Sequence, residues 1–193
     1  MITPEGCISQ PPRAVGKLIE GIPVFQSFLV PLVSDPENHQ FIYYEFLNTP
    51  GEKKDSEQEK DLTERQRPAV VIMTGQNDNL RIQRSATNTI TWAGSLNVSC
   101  EVNREQVKAA AEALVDNPTD DDIEMVWTNF AGMFMAQVAS AGNGDAAEDG
   151  SVGIYITNTT LRRWGRNPAS ERSGKGDFHG ISFRADWGFG NGV

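Results

Sequence analysis

Residues 90 to 102, ITWAGSLNVSCEV, alternate without an error between apolar and polar positions. Ile90, Trp92, Gly94, Leu96, Val98, Cys100 and Val102 fall in one phase, and Thr91, Ala93, Ser95, Asn97, Ser99 and Glu101 in the other. A period of two over this length predicts a β-strand with one buried and one polar face. GISFRADWG near the end of the chain repeats the pattern, with Ile181, Phe183, Ala185 and Trp187 in phase. PAVVIMTG at 68–75 is a short apolar run that stops at a glycine, and FIYYEFL at 41–47 is aromatic and β-prone in both phases. The first predicts a buried strand and the second a strand. VGIYIT at 152–157 predicts another, and Leu80 to Val102 contains one or two strands with a turn near SATN and with Arg81 and Arg84 facing outward.

Three segments carry a helical period instead. Residues 11–20 open with prolines and place Ala14, Val15, Leu18 and Ile19 on one face, and Gly21 and Pro23 end this short helix. VFQSFLVPLV at 24–33 is apolar and interrupted by Pro31, which predicts an edge strand or extended arm. Residues 103–117 predict a helix capped by Asn103, with Val107, Ala110, Ala111, Leu114 and Val115 on its inner face. A longer helix starts near Thr119 and runs to about Ser140, with Ile123, Val126, Trp127, Phe130, Phe134 and Val138 as its apolar stripe. Asp120, Asp121 and Asp122 fill its first turn, where carboxylates complement the helix dipole.

The stretches between these elements are polar. Residues 48–67 hold one large apolar side chain among charges of both signs, too little to order the segment without a neighbour. AGNGDAAEDGS after the long helix reads as a flexible acidic loop, and 158–176 as a basic, Gly- and Ser-rich excursion. No internal repeat is visible. Strands and helices in separate blocks predict an α+β fold. Its expected form is a mixed, mostly antiparallel sheet with two or three helices on one face. One domain spanning residues 1–193 is expected, with an N-terminal helix or arm over 1–33 and long loops at 48–67 and 158–176.

Charge narrows the functions. The formal net charge of −9 opposes a phosphate-gripping surface, because nucleic-acid affinity rests mainly on Lys and Arg. It suits solubility, or a lining past which DNA slides without sticking. Cys7 and Cys100 are the only cysteines and stand in no Cys/His cluster. The first residues, MITPEGCISQPPR, lack the basic region and apolar run of a signal peptide. No apolar run is long enough to span a bilayer. A cytosolic, reduced protein is expected, so the glycosylation patterns at Asn97 and Asn158 are accidental.

The search for chemistry finds no catalytic set. His39 and His179 each stand beside turn residues, with no carboxylate or cysteine spaced to make either a ligand or a base, and both are expected as solvated loop side chains. Gly94-Ser95 is not a nucleophile elbow, because Asn97 stands where the second glycine belongs. SGKGD at 173–177 lacks the upstream glycine and the hydroxyl residue of a phosphate loop. Adjacent helical carboxylates at 120–122 point about 100° apart and do not converge on a metal. Trp127, Phe130 and Phe134 have the spacing of ordinary core. No metal, no cofactor and no enzymatic activity is expected.

LRRWGR at 161–166 is the one concentration of positive charge around an aromatic. Trp and Arg dominate protein interfaces, so Arg162, Arg163, Trp164 and Arg166 are candidate docking residues of a loop that grips either an acidic neighbour subunit or a phosphate backbone, the alternative being a solvated loop.

In order, an N-terminal helix, the PAVVIMTG strand, a polar turn, the alternating strand with Trp92, two helices, a strand and the closing FRADWG resemble the tail-terminator, or tail-completion, proteins of tailed bacteriophages. The resemblance covers about residues 68–189 and rests on element order and strand pattern. It implies a six-fold homomeric ring in the virion, assembled in the host cytoplasm. Such a ring joins the tail tube to the neck or head connector and lets genomic DNA pass without specific binding, with no membrane involved. The segments 48–67 and 158–176 would be arms reaching neighbouring subunits. The alternatives are another tail-tube or head–tail joining protein, or an acidic protein-binding factor acting as a monomer or dimer.

Overall fold

The computed structural model describes residues 4–46, 66–74, 81–84, 90–140, 154–167 and 177–190. Its elements are α1 (Pro4–Gly21), β1 (Ile42–Phe46), β2 (Ala69–Thr74), β3 (Arg81–Arg84), β4 (Ile90–Asn103), α2 (Arg104–Glu112), α3 (Asp120–Ser140), β5 (Ile154–Asn167) and β6 (Phe178–Gly190). The described strands form one sheet in the order β1-β2-β4-β6-β5, with β3 paired to the first residues of β4. Only β1 and β2 run parallel; every other described pair is antiparallel. The expected α+β class, with its mixed and mostly antiparallel sheet, is the fold.

The helices lie on one face. Ile42, Val70, Ile72, Leu96, Val98, Cys100, Val102, Ile181, Phe183, Ala185 and Trp187 share a phase of the sheet and one core with Val15 and Ile19 of α1, Val107 and Ala111 of α2, and Trp127, Phe130 and Phe134 of α3. β4 and β6 are central and pair along their full length, so the two best-alternating segments stand side by side. Between them Gly94 has a definite task. A Cβ there would come within 2.6 Å of Cζ2 of Trp187, so the glycine makes room for the indole.

Four expectations are corrected. First, α1 starts at Pro4 and runs through Pro11 and Pro12. Each proline removes a backbone donor, but both are buried, and Val15, Ile19 and Ile22 just beyond them anchor the segment in the core. Second, residues 24–33 are not a strand or an arm. Phe25–Leu29 is a wide helical turn followed by a 3-10 turn at Val30–Leu32 that accommodates Pro31. This conformation buries Phe25 and Leu29 together and stacks Phe28 on Phe130 at 4.4 Å. Each such burial is worth about 1.5–3 kcal/mol, whereas helix propensities of ordinary residues differ by less than about 0.7 kcal/mol. Packing therefore overrides the β-branched composition. The turn is also tied by its backbone, since Val24 N–H donates to Gln137 Oε1 of α3 at 2.8 Å.

Third, α2 ends at Glu112, which leaves Leu114 at 74% and Val115 at 46% exposure, off the inner face. Its start is as expected: Asn103 N–H donates to Gln106 Oε1 at 3.2 Å. Gln106 also donates through Nε2 to the carbonyls of Arg67 (3.0 Å) and Leu32 (3.3 Å), so one side chain closes a helix end and pins two connections. Arg67, the last residue of the expected 48–67 insertion, is thereby fixed. It pairs with Glu101 at 3.0 Å and lies 4.3 Å over the Phe178 ring. Fourth, β5 does not stop at residue 157 but continues to Asn167. The rest of the 48–67 and 158–176 segments, the SATN turn and the acidic loop after α3 lie outside the described residues.

The long helix is as the periodicity required. Thr119 and Asp122 cap it reciprocally: Thr119 N–H donates to Asp122 Oδ2 at 2.8 Å, and Asp122 N–H to Thr119 Oγ1 at 3.3 Å. Ile123, Trp127, Phe130, Phe134 and Val138 are buried, and Val126 is partly so. No single described helix is long and apolar enough to cross a membrane.

Candidate functional site

All four candidate docking residues lie on β5, which is an edge strand of the described sheet. Their polarity concealed the strand. A side chain on an edge can reach water on either side, and register shifts between Ile156 and Asn158 and between Leu161 and Arg163 break the alternation. Pairing with β6 over its whole length is what makes the segment a strand. Arg162 occupies the second bulge, Arg163 pairs with Ser182, Trp164 with Ile181 and Arg166 with His179.

Register divides the four between the faces. Trp164 shares the helix-side phase with Leu161, which pairs with Phe183. On β6 that phase is core, with Ile181 and Phe183 buried; on β5 it is open, with Trp164 53% and Leu161 44% exposed. The helices cover the start of β5, where Ile156 is buried in the core, and leave Leu161 and Trp164 further along it exposed. Among the described residues, the side chains of Arg162 and Trp164 make no hydrogen bond, ion pair or ring contact.

Arg166 is committed elsewhere. Its Nε and NH2 donate to Asp177 at 3.1 and 2.6 Å in a two-pronged pair. The guanidinium's hydrogen bonds hold the Asp177 carboxyl below its ordinary range and push Arg166 up in turn. The charges continue into the helix starts. Arg104 lies 4.0 Å from Asp177, 2.6 Å from Asp120 and 3.3 Å from Glu124. Glu124 accepts from Nε2 of His179 at 2.8 Å.

His179 is not a solvated loop residue. It is fully buried in β6, with its ring 5.5 Å from that of Trp127. The alternation of 181, 183, 185 and 187 extended back by two positions places residue 179 in the buried phase, a signal present in the sequence. A carboxylate only accepts, so Nε2 carries the proton toward Glu124. Nδ1, like Nε1 of Trp127, has no partner among the described residues. The pair resembles the base and orienter of an active site, but the imidazole has no exposed surface for a substrate to approach, and Arg104 already engages Glu124. Its role is to lock the starts of α2 and α3 onto the sheet.

His39 is half-buried, with Nε2 2.9 Å from the Pro68 carbonyl and its ring 4.5 Å from that of Phe41. Among the described residues no three His, Cys, Asp or Glu side chains converge as metal ligands. Cys100 is buried as its phase required, and burial pushes its thiol far above the ordinary value. On the polar face of β4, Ser95 is buried, Asn97 and Ser99 are half-buried, and Glu101 is taken by Arg67. A second exposed apolar surface lies on α3, where Met125 and Met133 are 56% and 50% exposed in a run of uncharged residues from 125 to 140. The outer face of that helix carries no sequence signal beyond this lack of charge.

No protein-family model matches the chain, and no curated protein aligns with it.

Proposed function

We propose that this chain is a structural subunit of a tailed-phage virion, of the tail-terminator type, that joins copies of itself in a ring between tail tube and connector. The observation that carries this reading is the outer strand β5, which holds Trp164 and Leu161 in the core phase of the sheet yet exposes both, beside Arg162, whose side chain has no partner among the described residues. Large apolar and arginine side chains placed in this way are interface anchors. The order of elements supports the same assignment, since the PAVVIMT strand, the long alternating strand, two helices and the closing hairpin follow one another as in that family. The net charge of −9 suits a passage through which DNA moves without being held. Neighbours along the tail would be the tube protein below and the connector above.

Purified chain mixed with terminator-deficient tail tubes and imaged by electron microscopy tests the assignment. A ring of density at one end of each tube is expected. Bare ends at saturating chain would overturn it.

A further inference from the structure

The path β1-β2-β4-β6-β5 through the described sheet ends in β1 at one side and β5 at the other, and the two match in direction, level and charge. We infer that β5 of one copy pairs antiparallel with β1 of the next, continuing the sheet from subunit to subunit. The inference rests on the reading of the chain as a ring-forming subunit and names the surfaces that join.

Direction follows from the pairings. β1 runs with β2, β2 opposes β4, β4 opposes β6 and β6 opposes β5. β5 therefore runs opposite to β1, and rotation about an axis along the strands brings the two together antiparallel. Such a contact joins two different surfaces; it closes into a ring where the rotation allows and otherwise runs on as a filament.

Level follows from register. One row across the sheet reads Ile42, Val70, Cys100, Ile181, Trp164, and the next reads Tyr43, Val71, Ser99, Ser182, Arg163. The third joins Tyr44, Ile72, Val98, Phe183 and Leu161, and the fourth joins Glu45, Met73, Asn97, Arg184 and Thr160. The part of β5 that exposes Leu161 and Trp164 thus stands level with the whole described span of β1. Tyr44, itself 38% exposed, shares the helix-side phase with both. Joining the edges would bring these three side chains together out of water.

Charge selects the pairing. β5 holds Arg162 and Arg163 and no acidic residue, its third arginine, Arg166, being held by Asp177. The 35 residues from Leu18 to Glu52, which include β1, hold Glu20, Asp35, Glu37, Glu45 and Glu52 and neither lysine nor arginine. At the inferred register, position 45 stands opposite Thr160, two and three residues before Arg162 and Arg163. Pairing of β5 with a second β5 would set arginines against arginines. Bulges and charges often guard an edge against pairing, but here the guard is of opposite sign on the two edges, and the five residues after the bulge, Arg163 to Asn167, pair in unbroken register.

The test uses the full chain with Cys7→Ser as background. Residues opposite one another in antiparallel strands stand about 4.5–5.5 Å apart at Cα, within disulfide range. The Tyr43→Cys/Arg163→Cys double variant should give, on mild oxidation alone and on tail tubes, a reducible ladder of covalent oligomers. Each single variant should remain monomeric, and a mixture of the two should yield a dimer. A covalent dimer from Arg163→Cys alone, or a double variant that never cross-links while its melting matches the parent, overturns the inference. Charge exchange keeps the test open if a cysteine variant misfolds. Arg162→Glu/Arg163→Glu should weaken self-association at least tenfold in sedimentation, and mixing with Glu45→Arg should restore a mixed dimer; unchanged association in the first or no recovery in the second counts against the pairing. Tubes capped without cross-links would remove the edge pairing and leave the terminator reading. Cross-linked rings that leave tubes bare would do the reverse.

Discussion

Nε2 of His179 lies 2.8 Å from Oε1 of Glu124, which joins the start of β6 to the first turns of α3. Because the imidazole is fully buried, loss of its acceptor leaves a polar group out of water without a partner, at a cost of about 1–3 kcal/mol. Glu124→Ala is expected to lower the denaturant midpoint accordingly with an unchanged slope. Glu124→Gln keeps an acceptor oxygen and should lose less. An alanine variant as stable as the parent would show that the pair contributes nothing.

Gly94 and Trp187 make a steric prediction. Gly94→Ala places a methyl group within 2.6 Å of the indole, which is 4% exposed and has little room to move. Overpacking of this kind costs about 1–3 kcal/mol. Thermal melting should show the loss, and Trp187→Phe added to Gly94→Ala should recover part of it.

Three of the four candidate docking residues should separate into two groups. Trp164→Ser with Arg162→Ala is expected to abolish ring formation while changing monomer stability by no more than about 0.5 kcal/mol, as for surface substitutions without partners. Arg166→Ala removes the two-pronged bond to Asp177 and should destabilise the monomer itself. Calorimetry of the monomers beside negative-stain images distinguishes the groups. Equal melting losses for both would show that Trp164 belongs to the core.

Acid should weaken the fold through two carboxylates. Asp177, held by hydrogen bonds from Arg166, and Asp122, held by hydrogen bonds from Thr119, both lie below their ordinary value of 3.8. Below that value the unfolded chain binds protons that the folded chain refuses, so stability rises with pH there. The stabilisation is complete above about pH 4 and is lost as pH falls through the lowered folded values. Asp177→Asn should flatten the acid limb of a stability–pH profile; an unaltered limb would contradict the assignment.

Cys100 is buried, and its thiolate is correspondingly disfavoured. In a Cys7→Ser background the native chain should not react with a thiol reagent, and reaction should follow global unfolding. Rapid labelling under native conditions would show that the β4 core opens locally.

Where a repeat was long enough to be read, the amino-acid sequence determined the element. Thirteen alternating residues made β4, the 181–187 phase made the heart of β6, and the Ile123–Val138 stripe made α3, because each period allows one arrangement to bury its apolar side. The α+β class followed from the order of these blocks. Four features were decided by tertiary contacts. Residues 24–33 became helical turns because the core offered places for Phe25 and Leu29 that no local preference encodes. The phase of β6 places His179 inside, but its partner Glu124, 55 residues away, was supplied only by the fold. Leu114 and Val115 were left outside because α2 stops at Glu112. The residues proposed for docking were visible as a cluster of arginine around tryptophan, but their placement on an outer strand level with β1 arises from pairings across five strands. Composition marks which side chains can dock; only the register of the sheet decides what stands opposite them.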